Sequence, residues 1–270
     1  MSDRTALAVL GDPLAYTRSP ELHRAGFDVL GLKGSSEAIR TTPETLGERL
    51  RELAARGYRG VNLTAPLKDV ALPLLQRVSG SASVARSVNT VGFEPDGWWG
   101  DTTDGPGLVD LLLTLGRSPA RQRVTFLGAG GAARSLAVAL LAAGAPSVAA
   151  SARNLERVAE GWREIEGARL VGWRSREEED CLAGSSLVIS AIPPDPKPPA
   201  PLASVPMRAL ILDLAYGPGP TPWVLAARSE GREAYDGLGL LVFQARLSLA
   251  LWFECPVPVA PLARAVGWLR

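Results

Sequence analysis

The chain has 270 residues, of which 46% are hydrophobic and 21% are charged, a composition typical of a globular protein. Its length fits two domains of about 100 to 150 residues each, and its net charge of +1 lacks the basic excess of a nucleic-acid-binding protein. The longest apolar stretches fall short of the roughly 18 to 20 residues that span a bilayer, and the amino terminus is unlike a secretory signal, so we expect a cytoplasmic protein with neither a membrane nor a nucleic-acid partner.

The first part of the chain alternates strand-like and helix-like segments. Ser19 and Pro20 are residue types favoured at a helix N-cap and first turn, and Gly57 is typical of a helix end. Pro95, Asp96 and Gly97 favour a hairpin turn. The expected elements are a strand at 5–11, a helix in 19–32, a helix in 43–57, a strand at 59–64, a helix in 67–78 and a hairpin in 88–105.

A second unit is expected after a boundary near residue 105, beginning with a helix in "GLVDLLLTLG". An apolar strand in "RVTFL" and a long helix follow, and then three further apolar strands in 147–152, 186–192 and 208–216. The Pro-rich stretch 193–201 cannot pair in the centre of a sheet, so we expect a surface loop there. Helical patterns close the chain at 240–254 and 261–269. This alternation predicts an α/β protein with largely parallel sheet.

The cysteines and the histidine narrow the possible chemistry. Cys181 and Cys255 are too few for a disulfide framework and have no CxxC spacing. His23 is the single histidine, which removes the usual routes to a metal site or a Ser-His nucleophile. We therefore expect no metal, and proton transfer is left to lysine, acidic residues or tyrosine.

A glycine-rich turn, "GAGGAAR", follows the apolar strand "VTFL" and precedes the long helix. Glycines allow the backbone to approach a pyrophosphate, and the free N–H groups of a helix N-terminus attract its charge. The context predicts a dinucleotide site, although the glycines could serve only a tight strand-to-helix turn. The candidate residues are Gly128, Ala129, Gly130, Gly131 and Ala132.

The end of the next strand, "SVAAS", indicates which dinucleotide is bound. NAD-binding proteins usually place Asp or Glu there for the ribose 2′-hydroxyl, but this chain offers no carboxylate before Glu156. Arg153 and Arg157, four residues apart at the expected start of a helix, suit a 2′-phosphate. NADP is therefore preferred over NAD, with a solvated basic helix face as the alternative.

Lys68 and Asp104 are the candidate catalytic pair. They belong to three polar segments at 16–23, 62–68 and 88–105, whose hydroxyl, amide and charged groups suit a small polyhydroxylated acid. Oxidation of a secondary alcohol needs a group that takes the hydroxyl proton, and Lys68 is the best candidate. From these residues alone, a helix-start lysine near a capping aspartate is an equally good explanation.

Five segments in this order resemble the shikimate dehydrogenase family over nearly the whole chain. They are "GDPLAYTRSP" at 11–20, "GVNLTAPLK" at 60–68, "VNT" at 88–90 followed by "TDG" at 103–105, "GAGGAAR" at 128–134 and "DGLGLLVFQ" at 236–244. Each segment alone is a weak signal, whereas five in order are a strong one.

The resemblance implies a reversible, NADP-dependent reduction of 3-dehydroshikimate to shikimate. We expect a monomer or a homodimer. The resemblance also implies an α/β substrate domain at 1–105, to which helices at about 241–270 return, joined across a cleft to a Rossmann-type NADP domain at 106–240. The implied substrate residues are Thr17 and Ser19 for the carboxylate, Thr64, Asn89 and Gln244 for ring hydroxyls, and Tyr216 near the nicotinamide. Lys68 and Asp104 would be catalytic, Gly237 would contact the cofactor, and His23 would be structural.

Several positions depart from the family pattern. They are Tyr16, Thr17, Thr102, Ala152, Asn154, Ser190 and Leu240. Two alternatives therefore stay open: a quinate-tolerant relative, and a non-catalytic protein that senses the same ligands. Retention of both Lys68 and Asp104 argues against the sensor.

Overall fold

The computed structural model describes residues 5–14, 16–193, 195 and 197–268. Contacts between residues divide the chain into two compact units. Unit 1 consists of Met1–Gly107 and Leu241–Arg270, and unit 2 consists of Leu108–Leu240. Each unit contains a sheet with helices, so the predicted two-domain α/β architecture is confirmed.

The apolar strands lie at or close to the positions that the sequence predicts. The first strand and the strand after the glycine-rich helix have the predicted bounds, and the predicted hairpin is present. The described strands are β1 Thr5–Gly11, β2 Gly34–Arg40, β3 Gly60–Leu63, β4 Arg77–Val78, β5 Thr90–Glu94, β6 Gly97–Asp101, β7 Arg123–Leu127, β8 Ser147–Ala152, β9 Ala168–Gly172, β10 Leu187–Ser190, β11 Leu210–Asp213 and β12 Ala234–Tyr235.

The helices alternate with these strands along most of the chain. They are α1 Ser19–Leu30, α2 Leu46–Ala55, α3 Leu67–Val70, α4 Gly80–Ala85, α5 Asp104–Thr114, α6 Gly131–Ala142, α7 Leu155–Trp162, α8 Arg176–Ala183, α9 Pro222–Ser229, α10 Leu238–Phe253 and α11 Val259–Ala265. Among the described residues, no helix is long and apolar enough to cross a membrane.

Two local predictions were wrong. The N-cap of α1 is Arg18, and Ser19 is already the first helical residue, a one-residue shift at a helix end. The segment predicted as one helix over 67–78 is divided into α3, a 3₁₀ turn at Leu72–Leu74 and the strand β4. Pro73 explains the division, because proline has no N–H to continue an α-helix.

Unit 1 has a mixed six-stranded sheet in the order β2-β1-β3-β5-β6-β4. β1 is parallel to β2 and β3, whereas β5 is antiparallel to both β3 and β6. All four residues of β3 are buried, and Val61 of β3 belongs to the same hydrophobic core as Val91 of β5. The ends of β3 and β5 therefore hold the residues that follow them in fixed positions.

The C-terminal helices return to this sheet, as the resemblance predicted. Trp252 of α10 is fully buried, and its indole Nε1 donates a hydrogen bond of 2.9 Å to the carbonyl oxygen of Val91. A Cβ at Gly60 would lie 2.3 Å from the same indole nitrogen, so the absence of a side chain there allows the ring to lie against β3. The two ends of the chain thus form one unit.

Unit 2 has an all-parallel sheet in the order β12-β11-β10-β7-β8-β9. When its strands are numbered from β7, this is the 3-2-1-4-5-6 order of the dinucleotide-binding Rossmann fold, in which ligands bind at the carboxyl ends of the strands where the order reverses. That point lies between β7 and β10, directly at the glycine-rich turn. The described residues of 193–201 form no strand or helix, as predicted for a surface loop; Pro194 and Pro196 lie outside the described residues.

Removal of the Trp252 side chain tests the attachment of α10 to the sheet of unit 1. We expect Trp252→Ala to lower the free energy of unfolding by about 3 to 5 kcal/mol, because it leaves a cavity and an unpaired carbonyl. Urea unfolding of the purified protein measures this change. Leu251→Ala is the matched control, because Leu251 is 37% exposed, and an equal loss in both variants would contradict the assigned packing.

Candidate functional site

Lys68 is held by backbone hydrogen bonds at the start of its short helix. Leu67, which begins α3, donates its N–H to the Thr64 carbonyl at 2.9 Å, and the Lys68 carbonyl accepts the Val88 N–H at 2.7 Å. Leu67 is fully buried. The lysine therefore projects from a short helix that is fastened to the ends of β3 and β5.

Asp104 is the first residue of α5, a position at which the helix dipole favours a carboxylate. Its Oδ2 lies 2.5 Å from the Nζ of Lys68, and the two side chains are 10% and 16% exposed. The structure therefore brings the predicted catalytic pair together, 36 residues apart in sequence. Breaking a mostly buried pair by removal of one partner is costly, since the other charge is left uncompensated.

Asn89 supports the second oxygen of Asp104. Its Nδ2 donates to Asp104 Oδ1 at 2.8 Å, and it also lies 2.9 Å from Thr103 Oγ1 and 3.2 Å from Gln244 Oε1. Its Oδ1 accepts the backbone N–H of Thr103 at 2.8 Å and the Thr90 hydroxyl at 3.0 Å. The amide is therefore orientated from both sides, and Asn89 is only 2% exposed.

A buried polar network continues from Asn89 into the core of unit 1. Asn62 Nδ2 donates to the Asn89 carbonyl at 2.9 Å and lies within hydrogen-bond distance of Thr90 and Ser248. Ser248 in turn lies 3.0 Å from the Thr103 hydroxyl. The network thus connects β3, β5, α10 and the residue before Asp104.

His23 ends this network on the side of α1. Its Nε2 lies 2.9 Å from Asn62 Oδ1 and its Nδ1 lies 2.7 Å from Ser36 Oγ. Because the Asn89 carbonyl can only accept, Asn62 must direct its NH₂ toward that carbonyl and its oxygen toward the histidine. Nε2 of His23 therefore carries the proton, and Ser36 donates to Nδ1.

Burial keeps this histidine neutral. The fully buried imidazole is packed edge-on against Trp252, with ring centroids 5.6 Å apart. Loss of hydration lowers the pKa of His23 to about 4, and the hydrogen bond to Asn62 only partly opposes that effect. The structure therefore gives His23 a place in the core, as the resemblance implied.

Of the other predicted substrate residues of unit 1, Thr17, Ser19 and Thr64 lie at or beside element ends, and Gln244 lies within α10. Thr17 Oγ1 lies 3.3 Å from both the hydroxyl and the backbone N–H of Ser19, so the two hydroxyls are adjacent. Thr64 follows β3, and its N–H donates to the Leu10 carbonyl at 2.9 Å. Gln244 is connected to Asn89, and its Nε2 donates to the Leu241 carbonyl.

Tyr216 and Gly237 both lie in unit 2. Tyr216 is half-buried in the segment after β11, and its part in substrate binding stays a prediction. Gly237 is buried, and a Cβ there would lie 2.1 Å from the Leu214 carbonyl oxygen. Close packing therefore requires glycine at this position whether or not it contacts a cofactor.

The glycine-rich turn has the backbone that a phosphate site needs. Gly128 has φ of +106°, and a Cβ there would lie 2.8 Å from Ile192, so other residues are excluded. Gly130 is the N-cap of α6, and a Cβ added to it would meet no described atom within 4 Å. Since the first N–H groups of a helix lack intrahelical partners, this open N-terminus fits a pyrophosphate.

The arginines at the end of β8 are placed differently from the prediction. α7 begins at Leu155, and Asn154 is its N-cap, with Oδ1 accepting the Arg157 N–H at 2.9 Å. Arg153 therefore precedes the helix instead of sharing a helical face with Arg157. Both are exposed, and β8 ends next to the turn because Gly128 donates its N–H to the Ser151 carbonyl at 3.1 Å.

Four buried polar residues around the predicted catalytic pair were not among the predicted site residues. Asn62, Thr90, Thr103 and Ser248 are all 5% exposed or less. A polar residue inside the apolar strand "GVNL" was the available signal for Asn62, because buried amides require partners. Sequence alone does not reveal which partners those are.

Comparisons with known proteins find similar proteins for both units. Residues 9–91 match the family model described as shikimate dehydrogenase substrate binding domain, and residues 123–212 match NADP oxidoreductase coenzyme F420-dependent. An NADP(+) shikimate dehydrogenase of Dinoroseobacter shibae is 35% identical, with 96% of this chain and 95% of that protein covered. One from Gluconobacter oxydans is 37% identical, with 91% and 88% covered.

A solved structure extends the similarity to three dimensions. Shikimate 5-dehydrogenase from Thermus thermophilus, in complex with NADP(H) and shikimate, has a TM-score of 0.84 and 33% identity to this chain. The match covers 98% of this chain and 99% of that one. Both units are therefore represented in the similar structure.

The protonation of His23 can be measured directly, because it is the single histidine of the chain. We expect the NMR signals of its imidazole to titrate with a midpoint near pH 4, since burial lowers its pKa. Between about pH 4 and 6.5 the unfolded chain binds a proton that the folded chain does not, so stability rises with pH in that window and is level above it.

The size of this effect is on the order of 1.4 kcal/mol for each unit by which the pKa is lowered. Unfolding free energies at pH 5 and pH 7 for the wild type and for His23→Gln provide the second measurement. The variant should lose this part of the pH dependence. A titration midpoint near 6.5 in the wild type would contradict the burial of a neutral imidazole.

Proposed function

Since the chain belongs to the shikimate dehydrogenase family, we propose that it catalyses the reversible, NADP-dependent reduction of 3-dehydroshikimate to shikimate in aromatic amino-acid biosynthesis. One observation supports the proposed active site most strongly. Lys68 and Asp104, at the positions matching the family motifs, form a mostly buried ion pair whose carboxylate is also held by Asn89.

The reaction needs a hydride and a proton, and the bound nicotinamide supplies or accepts the hydride. In the reducing direction, the Lys68 ammonium donates a proton to the ketone oxygen, which becomes the hydroxyl group. In the oxidising direction, the amine of Lys68 takes the hydroxyl proton. Asp104 holds the Lys68 nitrogen in place and accepts a hydrogen bond from the substrate, so the proton moves over a short, fixed distance.

Substrate binding is assigned by the family motifs and by the chemistry of the side chains. The adjacent hydroxyls of Thr17 and Ser19 suit a carboxylate, because both can donate hydrogen bonds. Amide and hydroxyl groups suit the ring hydroxyls. The proposed substrate residues are Thr17, Ser19, Thr64, Asn89, Tyr216 and Gln244.

The cofactor is assigned to the glycine-rich turn and the residues after β8. The open N-terminus of α6 supports binding of the pyrophosphate, and the exposed Arg153 and Arg157 support binding of a 2′-phosphate. The proposed cofactor residues are Gly128, Ala129, Gly130, Gly131, Ala132, Arg153, Arg157 and Gly237. Unit 1 would then be the substrate domain and unit 2 the NADP domain.

The proposal also includes a cytoplasmic location and a monomeric or homodimeric state. These were expected at the sequence level, and sedimentation of the purified protein would distinguish the two oligomeric states.

Replacement of Lys68 tests the proton-transfer step. We expect Lys68→Ala to lower kcat by about 10² to 10⁴-fold, the usual contribution of general acid–base catalysis, with a much smaller rise in KM. Steady-state oxidation of NADPH with 3-dehydroshikimate measures both constants. Lys33→Ala is the control, because Lys33 is exposed and has no assigned role; unchanged kcat in Lys68→Ala would refute the proton-transfer role.

The same assay separates the enzyme from its alternatives. A sensor would bind NADPH and substrate without turnover, and a quinate-tolerant enzyme would show comparable kcat/KM for shikimate and quinate. We expect turnover of shikimate and little turnover of quinate.

Replacement of Arg153 tests the assignment of NADP. We expect Arg153→Ala to raise KM for NADPH by about 10 to 100-fold, because a hydrogen bond to a charged group contributes about 1.5 to 3 kcal/mol, and to leave kcat and KM for NADH nearly unchanged. Arg163→Ala is the control, since Arg163 is an exposed arginine at the other end of α7. Equal effects on NADPH and NADH would argue against a 2′-phosphate contact.

A further inference from the structure

Helix α7 connects the two proposed parts of the cofactor site. Asn154 caps its N-terminal end, where Arg157 lies in the first turn and Arg153 just precedes the helix, and both arginines are assigned to the 2′-phosphate. Its last residue, Trp162, is only 5% exposed. The indole Nε1 of Trp162 donates a hydrogen bond of 2.9 Å to the carbonyl oxygen of Ala129, inside the glycine-rich turn.

This hydrogen bond determines where the turn directs its N–H groups. A peptide group is planar and trans, so its C=O and N–H point in opposite directions. Because the Ala129 carbonyl points toward Trp162, the N–H of Gly130 points away from it. Gly130 is the N-cap of α6, so its N–H is one of the free N–H groups that form the proposed pyrophosphate site.

A second contact joins α7 to the start of α6. A Cβ at Gly161 would lie 2.8 Å from Nη1 and 3.1 Å from Cδ and Cζ of Arg134. The arginine side chain therefore lies directly over Gly161, and it is only 7% exposed. Two successive residues of α7 thus pack against the turn and the helix that follows it.

We propose that Trp162 is a positioning residue for the dinucleotide, which ties α7 to the glycine-rich turn so that the phosphate-binding N–H groups and Arg153 and Arg157 form one rigid site. The proposal rests on the proposed NADP function and deepens it. A ligand with both a 5′-phosphate and a 2′-phosphate contacts the N–H groups of the turn and also Arg153 and Arg157. A ligand with only the 5′-phosphate uses the turn alone.

The test compares the binding of 2′,5′-ADP and 5′-AMP by calorimetry, which does not depend on turnover. Trp162→Phe removes the indole N–H and keeps most of the ring volume. We expect its Kd for 2′,5′-ADP to rise about tenfold, the change that corresponds to about 1.4 kcal/mol, and its Kd for 5′-AMP to rise by less than about threefold. In steady state, KM for NADPH should rise with kcat nearly unchanged.

Trp223→Phe is the matched control. Trp223 is also buried in unit 2, and its Nε1 donates to the Ala200 carbonyl at 3.1 Å, away from the glycine-rich turn. It should leave both Kd values unchanged. If Trp162→Phe does not fold, Gly161→Ala replaces it, since the added methyl displaces α7 from Arg134 while the indole is retained, and the same selective loss is expected.

The outcomes distinguish a failure of the role proposed for Trp162 from a failure of the proposed NADP function. Equal fold-changes for the two ligands, no change in either, or the same change in Trp223→Phe would overturn the role of Trp162. A wild type that binds 2′,5′-ADP no more tightly than 5′-AMP would instead refute the NADP assignment itself.

Discussion

The carboxylate of Asp104 is the group around which unit 1 is organised, because a mostly buried carboxylate is tolerated only when its oxygens have donors. Lys68 serves one oxygen and Asn89 the other. Asn89 can do this only in one orientation, which the backbone N–H of Thr103 selects. The geometry of the proposed catalytic pair is therefore a consequence of satisfying one buried charge.

The helix α10 makes that arrangement depend on the end of the chain. Gln244, Ser248 and Trp252 are spaced four residues apart and so share one helical face. Gln244 and Ser248 contact the network around Asn89 and Thr103, and Trp252 packs against β3 and His23. A segment that follows unit 2 in sequence thus completes the surroundings of the proposed catalytic pair, so these surroundings form only when α10 is packed on the sheet of unit 1.

The proposed cofactor site of unit 2 is built from backbone N–H groups, whereas the proposed catalytic site of unit 1 is built from side chains. The turn after β7 directs N–H groups from the start of α6, and its shape depends on Gly128 and on the indole of Trp162. The small residues of the turn leave room for a ligand. Because they have no large side chains to fix the turn, a neighbouring element must orientate it. α7 supplies it, and the same helix begins beside the residues assigned to the 2′-phosphate.

The sequence by itself determined the apolar strands, the strand–turn–helix unit at Gly128 and the two-domain α/β class, because these depend on local periodicity and on glycine. It indicated Lys68 and Asp104 as candidate catalytic residues, but it did not establish that their side chains are in contact. The strands β2, β4, β9 and β12 were not predicted, since pairing with neighbours stabilises them more than their own residues do. Only the tertiary structure decided that Asn89 and Lys68 share Asp104, that Asn62 is held by His23, and that Trp162 contacts Ala129. Hydrogen-bond partners far apart in sequence are selected by packing, and no local pattern encodes that choice.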